Sequence, residues 1–187
     1  SASIPFGGGD FSLTPPVAMD PIQVALTFYQ GDHSVHARNY MRQLIQIAET
    51  KAVGHENLNR GELHYFFATL LEESGQVKDA VHAYKYALSA NPEKWEAHRN
   101  LASLYYRQDQ WKDALPHFQE SVQFEHANIN FRLEFAATAF RLDLPSITRE
   151  QLLGILKLDS NHEMANRILQ RLNEIEKKSS DGNRQTP

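Results

Sequence analysis

The chain has 187 residues, 19 Lys and Arg against 23 Asp and Glu, a formal net charge of -4 and no cysteine. That length suits one domain with loose ends, and the missing thiols exclude disulfides, thiolate zinc sites and a Cys nucleophile. A weakly acidic chain without clustered Lys and Arg also lacks the electrostatic basis for binding nucleic acid or an anionic membrane.

No apolar run approaches the roughly 20 residues that span a bilayer, so direct membrane insertion is not expected and the chain reads as soluble. It opens on Ser1-Ala2-Ser3 rather than Met and lacks a basic, then apolar, leader. A processed or trimmed chain would look this way, and cytoplasm and periplasm are both compatible with it.

Residues 1–19 form the first segment, with Gly7-Gly8-Gly9, Pro5, Pro15 and Pro16 and few aliphatics. Such a stretch supports neither helix nor packed strand and is expected as an extended arm. Asp20-Pro21 is a helix start, with Asp as cap and Pro at the first helical position, and the short helix closes near Gln30. A second helix is expected from Ser34 to Lys51, because Ala37, Met41, Leu44, Ile45 and Ala48 recur at three- and four-residue steps. The central elements are Glu62 to Ser74, a turn at Gly75, Val77 to Ala90, Glu96 to Gln108, a turn at Asp109, and Trp111 to Phe124. A further pair begins at Ile129. There Leu144-Pro145-Ser146 is expected to alter the turn, Pro145 opens the second helix, and Leu152, Ile155 and Leu156 form its buried stripe. From His162 to Lys177 an apolar stripe of Ala165, Ile168, Leu169, Leu172 and Ile175 marks a capping helix. Residues 178–187 carry no apolar side chain and are expected to be disordered.

Shifting Gly61 to Lys94 forward by 34 residues lays His64 on His98, Phe67 on Leu101, Ala68 on Ala102, Leu71 on Tyr105, Ala80 on Ala114, Tyr84 on Phe118 and Leu88 on Val122. This period and residue order resemble the tetratricopeptide repeat family. The resemblance implies an all-α, right-handed α-α superhelix, or solenoid, of three to four helix hairpins with a carboxy-terminal capping helix. Residues 20–177 would form the domain: a degenerate repeat at 20–52, repeats at 61–94, 95–128 and 129–161, and the cap at 162–177. Phe135, Ala136 and Ala139 keep the first-helix pattern in the last repeat, and Thr148 stands where the family has Ala.

Nine histidines invite a chemical reading. His64 and His98 share one repeat position, so their recurrence follows from repetition and points to packing. His33 and His36 have a helical three-residue step without a further ligand, so no metal and no cofactor is expected. No nucleophile elbow, zincin helix or phosphate loop is present, and Gly7-Gly8-Gly9-Asp10 has no Lys-Ser or Lys-Thr after it. An enzyme is not expected.

The resemblance also places partner-binding residues, because the first helix of each repeat lines the family's concave face. Carried onto this chain, those positions are Tyr65, Phe66, Thr69 and Glu73 in one repeat, then Arg99, Asn100, Ser103, Tyr106 and Arg107. Leu133, Phe140 and Arg141 follow in the last. Tyr65, Phe66, Tyr106 and Phe140 would anchor a peptide or helix, with the arginines holding carboxylates. The family's two-carboxylate clamp for chaperone tails is not matched: Asn100 fits one position, but Tyr65, Thr69, Asn130 and Glu134 occupy others. The expected function is a non-enzymatic scaffold or adaptor for a protein partner in assembly of a larger complex. A chaperone for a secreted or assembled substrate is the alternative. Phe6, Phe11 and Leu13 could dock the arm into its own or a neighbour's groove, giving self-association.

Overall fold

The computed structural model describes residues 23–25, 27, 34–50, 59–126 and 128–182. The arm at 1–19 and the last five residues, 183–187, lie outside them. Among the described residues there is no strand, and the named helices are α1 (Ser34–Thr50), α2 (Arg60–Glu73), α3 (Val77–Ala90), α4 (Trp95–Arg107), α5 (Trp111–Ser121), α6 (Ile129–Arg141), α7 (Pro145–Leu158) and α8 (Glu163–Gly182). None of them is long and apolar enough to cross a membrane. The chain divides into two compact units, Ser1–Ala80 and Val81–Pro187.

In the first unit, α1 packs on α2. The stripe read from three- and four-residue steps is the buried one: Ala37, Met41, Leu44 and Ala48 meet Leu63 and Leu70, with Tyr40 and Ala25 completing the core. Asn59 caps α2, its side chain accepting from the Glu62 amide at 3.2 Å, which satisfies one of the first-turn donors that have no partner inside the helix.

In the second unit α4 pairs with α5, α6 pairs with α7, and α8 covers α7. Ala97, Leu101, Ala102, Ala114 and Phe118 are all fully buried. Phe118 stacks on Phe135 with centroids 5.2 Å apart and planes 5° from parallel, so one aromatic joins the two hairpins. Beyond it Ala136, Leu152, Ile155 and Ala165 form the core that α8 closes.

Three helices end in the same way. After α2, Gly75 has φ of 73°, its amide bonds to Glu72 O at 2.9 Å, and the Gln76 amide bonds to Leu71 O at 2.8 Å. Asp109 repeats this with φ of 58° and bonds to Tyr106 O and Tyr105 O, and Asp143 with φ of 56° and bonds to Phe140 O and Ala139 O. Each is the left-handed residue of a Schellman closure, which glycine adopts without strain and aspartate tolerates. These residues are spaced by 34 positions, so the third turn is not altered as the sequence suggests: the left-handed residue lies one position before Leu144, and Pro145 simply opens α7. Thr148 stays fully buried in the alanine position because its hydroxyl donates to Leu144 O at 2.9 Å.

Two boundaries differ from expectation by three residues or more. Helix α5 stops at Ser121 rather than Phe124, and α8 runs on through the polar residues after Lys177 to Gly182. The extension meets no breaker before that glycine, and Lys, Ser and Asp cost little in a helix already nucleated upstream.

Three stability predictions follow from these turns and this packing. Gly75→Ala should lower stability by about 1 kcal/mol through left-handed strain alone, since an added Cβ would meet nothing within 4 Å. Asp109→Gly should be neutral or stabilising in the same urea titration. Phe118→Ala should cost about 3–5 kcal/mol by cavity formation, read as a shift in urea midpoint with unchanged slope.

Candidate interaction groove

In the first unit the sequence-derived candidates sit on α2. Tyr65 and Phe66 meet edge-on with centroids 5.5 Å apart. Phe66 also packs against the α1–α2 core, and the Thr69 hydroxyl donates to Phe66 O at 2.7 Å. Glu73 is exposed at the helix end.

In the second unit several candidates on α4 are engaged within the protein. Arg99 Nε pairs with Glu125 Oε1 at 3.0 Å, and Asn100 Nδ2 donates to the Tyr84 hydroxyl at 2.8 Å. The Ser103 hydroxyl donates to Glu134 Oε2 at 2.7 Å, tying α4 to α6, while Arg107 Nε reaches Ser103 O at 3.4 Å. These residues hold the walls together. Asparagine and arginine with such bonds are less available to a ligand than their position alone suggests.

Four candidates do come together. Tyr106, Leu133, Phe140 and Arg141 line one cavity of about 790 Å³ between α4, α6 and α8. Tyr106 is set by edge contacts to Trp111 at 5.4 Å and Phe118 at 6.5 Å. The Arg141 guanidinium lies 5.8 Å from the centroid of the Trp111 ring, a cation–π contact that fixes its stem and leaves the residue exposed. Phe140 is 44% exposed. A large aromatic this open is the informative kind of surface residue when its neighbours are apolar too.

The opposite wall consists of Met164, Ile168 and Arg171 of α8, residues that the family positions do not indicate. Their signal was in the sequence as a second stripe. Ala165, Ile168, Leu169 and Leu172 face the core, whereas Met164, Arg171 and Ile175 recur at steps of seven and four beside it and are exposed. A helix that only caps needs one apolar stripe. Met164 is 57% and Ile175 48% exposed, so α8 carries apolar surface beyond what covering α7 requires.

The histidines occupy a different place. His98 Nε2 lies 2.9 Å from Pro92 O, and His98 Nδ1 lies 2.8 Å from His117 Nδ1. His117 in turn stacks on Tyr105, with centroids 5.8 Å apart. Burial, then the neighbouring His98 and Lys85, push the His117 pKa down to about 4, against the pull of Asp113. His64, 3.7 Å from Glu49, is also lowered, chiefly by burial. Among the described residues no group of three or more His, Asp or Glu is placed to hold a metal ion.

Paired antiparallel helices with small residues at the contacts, repeated at a fixed interval, define a helical-repeat protein. Residues 67–127 match the family model described as tetratricopeptide repeat. Within that span the chain is similar to the tetratricopeptide repeat family. Solved structures agree on the fold. YrrB, described as a TPR protein with an unusual peptide-binding site, is 15% identical with a TM-score of 0.70, covering 84% of this chain and 76% of that one. MamA from Desulfovibrio magneticus is 17% identical with a TM-score of 0.63, covering 85% and 87%. The first TPR of RPAP3, bound to an HSP90 peptide, is 17% identical with a TM-score of 0.50, covering 62% of this chain and 91% of that domain. No curated protein sequence matches the chain.

Proposed function

We propose that this protein is a non-catalytic interaction scaffold that holds a segment of a partner protein in the cavity between α4, α6 and α8. The observation that carries the reading is the company Phe140 keeps: it stands half open beside Tyr106, Leu133 and Met164 in one cavity. Binding energy concentrates in such desolvatable aromatic and apolar clusters. The named peptide-binding relatives share the fold, which supports the same use of a groove here. Arg141 and Arg171 at its rim would orient a carboxylate on the partner, since an exposed guanidinium offers several donors in a plane. The expected partner segment is therefore short, with a large apolar side chain and an Asp or Glu nearby.

The test begins with the full chain as bait in extract of its native source, followed by affinity measurement with the purified partner. Phe140→Ser with Met164→Ser should weaken that affinity by roughly thirtyfold or more, the loss of one hot spot of about 2 kcal/mol. Arg171→Glu should weaken it less and reduce its salt dependence. Unchanged affinity in the first variant would move the binding site off this cavity. The partner itself then separates assembly from chaperoning: one stable alone marks a scaffold, and one that aggregates without this chain marks a chaperone.

A further inference from the structure

His98 and His117 are 19 residues apart, on α4 and α5. Thirty-four residues further on stand Arg132 and Gln151, and they repeat the same bonds. Arg132 Nη1 donates to Gln151 Oε1 at 2.7 Å, as His98 meets His117 at 2.8 Å. Arg132 Nε donates to His126 O at 2.9 Å, as His98 Nε2 meets Pro92 O at 2.9 Å. His126 is itself 34 residues beyond Pro92. The two hairpins thus share a three-part tie from loop carbonyl to first helix to second helix.

Chemistry separates the two ties. A carbonyl oxygen only accepts, so His98 Nε2 carries a hydrogen and, when the ring is neutral, its Nδ1 accepts from His117 Nδ1–H. One added proton can still be accommodated between the rings or on His117 Nε2. Two cannot, because N–H would then face N–H across 2.8 Å. Arginine and glutamine have no such restriction near neutral pH. The other groups around the histidine pair act in both directions. Lys85 from α3 lies over the Tyr105 ring at 5.6 Å and opposes a proton on His117, whereas Asp113 on α5 favours it.

We propose that the His98–His117 bond is a proton-sensitive tie that loosens the α4–α5 hairpin on acidification while the Arg132–Gln151 tie keeps α6–α7 closed. The sign follows from proton uptake. In the opened hairpin His117 accepts a proton below about pH 6.5, whereas in place it resists protonation down to about 4. Opening therefore takes up a proton across that interval and is favoured up to tenfold per pH unit as pH falls.

Amide hydrogen exchange of the full chain, corrected for the intrinsic rate, reads both hairpins at once. Between pH 7 and pH 5 the opening of α4–α5 should rise on the order of tenfold relative to α6–α7. His117→Gln supplies an amide that both donates and accepts, so His98 can take its proton without conflict, and most of the difference should disappear. An equal response of the two hairpins, or a variant that responds like the parent, overturns the proposal. Should His117→Gln fold poorly, titration of the His117 ring by NMR in the parent chain decides: a ring neutral at pH 5.5 supports the tie, and one already charged at pH 6 overturns it.

Discussion

Two helices that reverse direction over three residues are forced into close backbone contact, and this constraint organises the rest of the chain. Close contact demands small side chains where the axes approach, and in the second unit Ala102, Ala114 and Ala136 meet that demand, Ala102 and Ala136 at a 34-residue interval. The reversal needs a left-handed residue, found at Gly75, Asp109 and Asp143. In the α4–α5 and α6–α7 hairpins large side chains fill the remaining volume. Phe118 and Leu152 are among them, 34 residues apart and both fully buried.

The same register explains which polar residues the interior accepts. Thr138 stands in the position of Leu70 and Leu104, Ser121 in that of Ala87, and Thr148 in that of Ala80, each fully buried. All three hydroxyls donate to the carbonyl four residues earlier, Thr138 to Glu134, Ser121 to His117 and Thr148 to Leu144. A short hydroxyl in a helix carries its own acceptor, so it can replace an apolar residue at little cost. Longer polar groups have no such local remedy. Gln151 is buried and depends on Arg132, and the Gly154 backbone lies so close to that guanidinium that a Cβ there would come within 2.8 Å of it.

Periodicity made the fold legible because buried positions are dictated by helix contacts that recur. The α1 stripe, the alanines and the aromatic fillers could all be read from spacing. What escaped was set by single encounters outside the period. Helix α5 ends early where Glu125 turns back to pair with Arg99, and Phe124 leaves the helix to stack on Trp95 at 5.5 Å. The groove was legible in part for the same reason. Tyr106, Leu133, Phe140 and Arg141 follow from repeat position, but Met164 and Arg171 belong to a helix whose second stripe has no counterpart upstream. Arg99 and Asn100 occupy the right positions, yet their partners Glu125 and Tyr84 are visible only in three dimensions.

Helix α4 shows how the constraint and the function share thirteen residues. Ala97, Leu101, Leu104 and Tyr105 are committed to packing, and His98 to the tie with α5. Arg99, Asn100 and Ser103 each bond a neighbouring segment, which leaves Tyr106 as the side chain of this helix that lines the cavity. Its aromatic contacts to Trp111 and Phe118 connect it to the same α4–α5 hairpin that His98 and His117 close. Any loosening of that hairpin must therefore disturb the ring that forms one wall of the groove. The wall built from α6 and α8 rests instead on Leu152, Ile155 and Ala165, and its hairpin is tied by groups that do not titrate near neutral pH. The groove thus has one wall whose support depends on a proton and another whose support does not.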